Sequence, residues 1–596
     1  MARQEDAIRA LGCVVKMNIH NIQDECSACG VLLNPYQGII VSHGSILTEL
    51  CLKDKSFYSS LKLGHVIKGS DLNGSKFEAL IDGRWAVQCE SAHAVPAARE
   101  TSYNLSDPEK NTELSVSFTR VKCVLLYAFR NVDFSKAVAR IMPDSNWTFT
   151  TDFSDNSTVE NSSYLQQHDT TDADENSICF NLLSYFLVLK IAPLSLNSQN
   201  GYLLSALRPL LLRSHNCQIG NIAEIIATPF GSQNPSLFFN SFSRGVVCNV
   251  SGTQGCWILT DARCIPGSEG GPLFTGQDSQ SRHLSGVIAA SLCWKNKEWI
   301  GFSLACSVNS IYGALDVYMK ADKLKMWVES KDWIERNMLN RDSAIFSYNK
   351  DTVRDPKRRS LLSSTVAVRV GSTWGSGIII DRDKGIFLTC SHVVKDSRSF
   401  DILIKPLKGS PQYKATLVYS TSGTFHAPYD IAVLKCPAAV NDYQNFREPR
   451  ICSPKLGERV CVVGHALFSP ELDLQPSVSA GVISKVITLK GQPVMIQSTC
   501  AVHAGASGGP LLNLAGDLIG IVVCNTVDKG SSSSYPHINM SIPAVSVWPA
   551  VKHYLQTGDP SGLSVLELTD ACVQRLWALE DSSSSDEAES FTRSKL

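Results

Sequence analysis

The stretch Gly505-Ala506-Ser507-Gly508-Gly509-Pro510-Leu511 sets a serine inside a glycine-rich turn that runs into an apolar segment. Glycine reaches backbone conformations that other residues avoid, so such a turn can bend sharply and aim several amides at one spot. Two further segments precede it. Tyr429-Asp430-Ile431-Ala432-Val433-Leu434-Lys435 puts an aspartate at the head of an apolar run, and Thr389-Cys390-Ser391-His392-Val393-Val394 puts a histidine just after one. The order is therefore His392, Asp430, Ser507. A serine hydroxyl is a poor nucleophile near neutral pH, and a histidine that accepts its proton activates it. An aspartate behind the histidine fixes the tautomer and stabilises the imidazolium. The amides of Gly505 and Ser507 would bind the oxyanion that forms when a carbonyl is attacked, a contribution of roughly 3–4 kcal/mol per donor.

The sequence around these segments reads as short strands. Val366, Val368 and Val370 alternate with Ala367 and Arg369, the period of a half-buried strand. Apolar runs follow at 377–380, 386–390, 416–419, 431–436, 460–463, 481–487, 493–497 and 518–524, punctuated by Gly, Pro and Asp. That pattern fits an antiparallel barrel and not βαβ units. Residues 545–556 and 563–579 read as closing helices, the first interrupted by Pro549.

At 596 residues the chain exceeds one core, so two or more domains are expected. Charged residues make up 19% and the formal net charge is -1, which removes any general case for nucleic acid or an anionic membrane as partner. No apolar run reaches the roughly 18–20 residues of a membrane span. The first twenty residues carry Arg3, Glu5, Asp6 and Arg9 in place of an apolar leader, so an intracellular, soluble protein is expected. The 20 cysteines are scattered, many within strand-like runs, and are read as buried thiols. Cys26 and Cys29 form a C-x-x-C without a second ligand pair, so neither a metal nor a cofactor is expected.

Residues 331–364 read as a linker, polar from Asp342 to Ser364 and including the basic run Lys357-Arg358-Arg359, between a first domain over 1–330 and a second over 365–560. Residues 144–177, rich in Ser, Thr, Asn and Asp, read as a mobile insert in the first domain. Residues 561–596 read as a helix followed by an acidic disordered tail.

The second half resembles trypsin-like serine proteases of the Deg/HtrA branch, which carry His before Val-Val, Asp-Ile-Ala-Val-Leu-Lys and the Gly-x-Ser-Gly-Gly-Pro-Leu turn. The resemblance implies two β-barrels with the triad His392, Asp430 and Ser507 between them. Ala506 departs from the asparagine common in that branch, and no PDZ-like module follows. The resemblance places Ala501, six residues before Ser507, at the floor of the primary specificity pocket, with Asn539 and Ser541 in the 539–542 wall. An acid there would favour Lys or Arg; alanine implies cleavage after small or apolar residues, Cys included. Residues 522–525 are either a further wall or plain core.

The first half repeats the pattern without its chemistry. Gly267-Ser268-Glu269-Gly270-Gly271-Pro272-Leu273 matches the nucleophile turn, with Glu269 in place of Ser507. Ile39–Ser42 aligns with Ile386–Thr389, which sets Ser45 where His392 falls and His43 two residues early; Tyr185 aligns with Asp430. The expected fold class is all-β: tandem trypsin-like double barrels, the first copy degenerate, with C-terminal helices. The chain ends in Ser594-Lys595-Leu596, the tripeptide of a peroxisomal matrix address read by an import receptor.

With these parts together, the chain resembles the family of peroxisomal leader-peptide-processing and plant glyoxysomal processing proteases. That resemblance implies protein substrates, removal of N-terminal leaders from imported matrix proteins, trimming of some fatty-acid β-oxidation enzymes, self-processing and a possible homodimer. A general quality-control protease or chaperone and a non-catalytic peptide-binding adaptor remain as alternatives.

Overall fold

The computed structural model describes residues 8–321, 362 and 364–595, apart from 19–25, 35–37, 65, 73–74, 83–86, 89–117, 144–146, 151–168, 192–194, 197–216, 231–234, 278–280, 296–297, 422–428, 444–447, 529–533, 568–569 and 579–590. Nearly all of the expected linker lies outside the described residues. The chain divides into two compact units, Met1–Cys217 with Asn221–Asn349, and Lys350–Leu596 with Gln218–Gly220.

In the first unit, β1 (Gly12–Asn18), β2 (Cys26–Asn34), β3 (Ile39–His43), β4 (Lys76–Asp82), β5 (Phe118–Arg130) and β6 (Tyr185–Ile191) close on themselves in the order β1-β2-β3-β6-β5-β4. A second barrel follows in the same order: β7 (Ile222–Ala227), β8 (Ser241–Ser251), β9 (Trp257–Thr260), then β12 (Ser303–Ser307), β11 (His283–Ala290) and β10 (Pro272–Gly276).

The second unit uses this order twice more. Its first barrel runs β13 (Thr365–Val370), β14 (Thr373–Asp381), β15 (Ile386–Thr389), β18 (Ala432–Lys435), β17 (Tyr413–Ser420) and β16 (Ile402–Lys405). Its second runs β19 (Arg459–Gly464), β20 (Ser477–Leu489), β21 (Gln492–Ser498), β24 (Ser534–Pro543), β23 (Leu518–Asp528) and β22 (Pro510–Asn513). The fold is all-β with tandem double barrels.

Closure pairs the strands of each barrel around its circumference, and the inward side chains form the core. In the last barrel these are Val460, Val462, Ile483, Ile496, Leu511, Ile519 and Val522, each worth roughly 1.5–3 kcal/mol on burial. Ala506, the residue before Ser507, belongs to the same cluster, so the nucleophile turn is anchored in packed core.

Four details differ from the sequence reading. The insert contains ordered elements: Trp147–Thr150 pairs with Leu292–Lys295, and Asp169–Leu182 is helical. Alternate aromatics Trp147 and Phe149 are buried, which gives that short strand its core face. The helix Ala544–Thr557 continues through Pro549. Residues 563–579 are not one helix: a 3-10 segment, Pro560–Leu566, precedes the helix Ala571–Ala578. Finally, the tail is not structureless to its end, because Phe591–Lys595 forms a strand, β25, on the edge of β23. Among the described residues no helix is long and apolar enough to cross a membrane.

Candidate active site

His392 sits in the single 3-10 turn Ser391–Val394 that follows β15. Asp430, only 1% exposed, lies two residues before β18, the strand that pairs with β15 through Thr389 and Ala432. Neighbouring strands therefore deliver both side chains to one end of the first barrel. Asp430 grips His392 twice: its Oδ1 accepts from the His392 backbone amide at 2.9 Å, and its Oδ2 meets Nδ1 at 2.6 Å. A carboxylate only accepts, so Nδ1 carries the proton and the Nε2 of the neutral ring holds the lone pair.

Ser507 is fully buried and its Oγ donates to the Val523 carbonyl at 2.9 Å. The turn around it is fixed by bonds from the Ala506 amide to the His503 carbonyl, from Gly508 to Val522 and from Gly509 to Ala506, at 2.8–2.9 Å. Gly505 and Gly508 have φ of 91° and 84°, the left-handed region that favours glycine. A Cβ on Gly508 would stand 2.2 Å from the Ser376 carbonyl oxygen, 2.5 Å from Thr389 Oγ1 and 2.9 Å from the Cys390 amide. The nucleophile turn is thus pressed against the segment that leads into His392.

Sequence reasoning missed the stitch between the two barrels. Ser376 Oγ donates to the Gly505 carbonyl at 2.7 Å and accepts from the His465 amide at 2.8 Å, while the Ser376 amide donates to the Ser507 carbonyl at 2.8 Å. Thr389 Oγ1 donates to the Ser376 carbonyl at 2.7 Å. No motif marks Ser376; its signal is a buried serine between Gly375 and Gly377 on β14. Cys390, His392 and Asp430 bring possible metal-ligand atoms within 4.8 Å of one another. His392 and Asp430 engage each other, however, and Cys390 Sγ contacts the Val522 carbonyl at 3.3 Å.

Of the residues expected around the specificity pocket, Ala501 is buried. Asn539 is also buried, but its amide donates to the carbonyls of Ser498 and Cys500 at 2.9 and 2.7 Å and accepts from Ser498 Oγ at 2.9 Å. These bonds tie β24 to β21 and to Cys500 just beyond it. Ser541 pairs with Val522 across β23 and β24, and its buried Oγ has no partner among the described residues. Val522 and Val523 are fully buried, and Val522 is core.

The first unit repeats this construction atom for atom and changes the chemistry. Cys29 stands where Ser376 does: its Sγ donates to the Gly267 carbonyl and accepts from the Thr228 amide, both at 3.0 Å. Burial pushes this thiol up to about 12, so the C-x-x-C residue is a structural hydrogen-bonder. Gly267 and Gly270 have φ of 87° and 90°, as Gly505 and Gly508 do. The matching registers of β2 on β3 and of β14 on β15 put Ser45 at the His392 position. The pairings of β3 with β6 and of β15 with β18 put Tyr185 at the Asp430 position.

Tyr185 is buried and its hydroxyl donates to the Leu61 carbonyl. His43 accepts from the Ser45 amide at Nδ1, so Nε2 carries the proton and donates to the Leu183 carbonyl at 3.1 Å. Burial lowers this histidine to about 4. Glu269 fills its own turn: Oε2 accepts from the Gly267 amide and Oε1 from the Ser291 amide, both at 3.0 Å, and Ser291 Oγ donates to Oε1 as well.

Residues 375–521 match the trypsin-like peptidase domain family. The chain is similar to the peroxisomal leader peptide-processing protease of Mus musculus, 35% identical with 59% of each chain covered. It is also similar to the protein of the same name from Homo sapiens, 34% identical over 60% of this chain and 59% of that one. A probable periplasmic serine endoprotease, DegP-like, from Chlamydia pneumoniae is 28% identical over 34% of this chain and 38% of its own length. The chain thus spans about three-fifths of the length of its first two relatives.

Proposed function

We propose, with the trypsin-like peptidase domain of the second unit as premise, that this chain is a serine endopeptidase whose catalytic residues are His392, Asp430 and Ser507. The observation that carries the reading is the pair of hydrogen bonds from His392 to Asp430, which sets Nε2 as acceptor, while the glycine turn bearing Ser507 packs against the segment leading into His392. Ser507 Oγ attacks the scissile carbonyl carbon while His392 Nε2 takes its proton. The amides of Gly505 and Ser507 hold the oxyanion, and the imidazolium then protonates the departing amine. Water repeats the cycle on the acyl-enzyme and returns Ser507. Ala501 and Ser541 shape a pocket without acid, which suits a small or apolar residue before the cut, Cys included.

The similarity to two peroxisomal leader peptide-processing proteases supports a peroxisomal protease that processes leader peptides; its proposed substrates are imported matrix precursors, which lose their N-terminal leaders, and some β-oxidation enzymes, which it trims in the peroxisome matrix. Ser594, Lys595 and Leu596 would serve as the address read by an import receptor. The first unit, with Glu269, Ser45 and Tyr185 at the three positions, is catalytically silent.

The test is incubation of the purified chain with a leader-bearing matrix precursor, with and without a serine-reactive inhibitor, followed by sequencing of the new N-terminus. A single cut after a small or apolar residue, abolished by inhibitor and by Ser507→Ala, is expected. Leader removal that persists in Ser507→Ala overturns the assignment, and indiscriminate degradation of unfolded casein would favour a quality-control protease.

A further inference from the structure

Strand β23 changes partners along its length. Its first part pairs with β22, with Pro510 opposite Ile521 and Leu512 opposite Leu518, and this pairing closes the barrel. β22 begins only three residues after Ser507, so it reaches no further along β23. On its other side β23 stays paired with β24 as far as Val527. The edge that β22 leaves is taken by β25, antiparallel, with Cys524 opposite Lys595, Asn525 opposite Ser594, Thr526 opposite Arg593, Val527 opposite Thr592 and Asp528 opposite Phe591.

Between the two partners lie Val522 and Val523, whose carbonyls hold the nucleophile turn. Val522 accepts from the Gly508 amide at 2.8 Å and Val523 from Ser507 Oγ at 2.9 Å. β25 therefore joins the ladder one residue beyond the carbonyl that holds the serine.

We infer that β25 is a built-in competitor for the β23 edge beside Ser507, so that the resting protein is self-blocked and this strand must lift for an extended peptide to enter. The inference rests on the peptidase reading for what the edge does. An extended peptide is held at a sheet edge by the backbone donors and acceptors left unpaired there. At Cys524–Asp528 β25 uses those groups. Its direction is also that of a substrate. Running antiparallel to β23, it brings its C-terminal end toward Ser507, as the residues before a scissile bond must run.

A five-residue strand on one edge is a weak and reversible occupant, opened at low cost. Tethering makes it effective nonetheless, because the local concentration of a linked segment is in the millimolar range. Ser594 and Lys595 stand in this ladder. A receptor that grips the tripeptide and the edge of β23 thus compete for the same residues.

The test uses the full chain with Thr592→Pro or Arg593→Pro. Successive strand residues turn their amides to opposite sides, so one of the two removes a ladder donor, and both leave Ser594-Lys595-Leu596 in place. Arg593→Ala keeps the amide and serves as control. Hydrogen exchange at the amides of 524–528 reads the pairing. Anisotropy of the fluorescein-labelled hexapeptide Phe-Thr-Arg-Ser-Lys-Leu, bound to each variant in the Ser507→Ala background, reads access to the edge without need of catalysis. KM for succinyl-trialanine p-nitroanilide reads it in the active chain.

Proline variants are expected to lose protection, to bind the hexapeptide about tenfold more tightly and to show a similar fall in KM with kcat unchanged. Lost protection with unchanged binding and KM overturns the inference, as does absence of protection in the unsubstituted chain. Absence of hydrolysis in every variant, with the binding change intact, overturns the peptidase reading instead.

Discussion

The carboxylate of Glu269 accepts a hydrogen bond from the amide of Gly267, two residues back along its own turn, at 3.0 Å. Gly267 is the counterpart of Gly505, the residue whose amide would receive an oxyanion in the second unit. In the first unit a side-chain oxygen of the same chain already occupies that donor. A hydroxyl restored at position 269 would therefore stand among neighbours other than those of Ser507.

Restoring the serine alone should accordingly restore nothing. Glu269→Ser in a Ser507→Ala background is expected to remain unlabelled by a fluorophosphonate probe, because Ser45 and Tyr185 supply neither base nor orienting carboxylate. Labelling at the substituted position, above that of Ser507→Ala alone, would show that another base reaches the turn.

In the second unit Asp430→Asn should keep the fold and cost about 10⁴-fold in kcat, since an amide in place of the carboxylate no longer selects the Nδ1–H tautomer of His392. Steady-state kinetics against succinyl-trialanine p-nitroanilide checks this. A loss smaller than about tenfold would mean that the tautomer is set elsewhere.

Gly508→Ala and Gly270→Ala should each cost about 3–4 kcal/mol, as a Cβ at φ of 84° or 90° would lie 2.2 Å from the Ser376 oxygen or 2.0 Å from the Cys29 oxygen. Urea unfolding of the two variants measures it. The Gly270 variant separates architecture from chemistry, because it should lose stability with no catalysis at stake in its own unit.

His43 and His465 are both held near 4 in the fold, against an ordinary 6.5, by burial and, for His465, by Lys405 as well. Their unfolded forms take up a proton below pH 6.5 while the folded forms do not. Their contribution is complete above that pH and is lost as pH falls from 6.5 toward 4, at about 1.4 kcal/mol per pH unit for each. Urea midpoints from pH 7 to pH 5 should show that slope in both units, and His465→Gln should flatten it in the second.

Trp577 is fully buried, donates from Nε1 to the Val494 carbonyl at 3.1 Å and meets Tyr429 edge-on at 6.4 Å between ring centroids. Trp577→Ala should cost about 3–5 kcal/mol, and Trp577→Phe less, because the ring contact beside Asp430 is kept. Thermal unfolding of the pair distinguishes a packing role from a surface one.

The barrels were legible because alternating valines and glycine-punctuated apolar runs are local signals, and each run named in the second half falls within or upon a strand. The match of Glu269 to Ser507 was legible from the glycines alone. Three things were not. Cys29 reads as one more buried thiol, and nothing local shows its sulfur in the role of the Ser376 hydroxyl. Asn539 reads as a pocket wall, and no local pattern shows that its amide also bonds Ser498 and Cys500. The strand Phe591–Lys595 carries no apolar alternation and follows an acidic tract; what makes it a strand is an edge more than sixty residues away in sequence, which no local pattern reveals.

The left-handed glycines of the first unit carry a wider lesson. Gly267 and Gly270 keep these conformations around Glu269, and neighbouring backbone leaves no volume for a methyl group at Gly270. Such a turn belongs to the way a barrel is shut, whichever side chain it carries. Genomic searches that take the glycines as the hallmark of a working hydrolase would count both halves alike, although Glu269, Ser45 and Tyr185 stand in one where Ser507, His392 and Asp430 stand in the other.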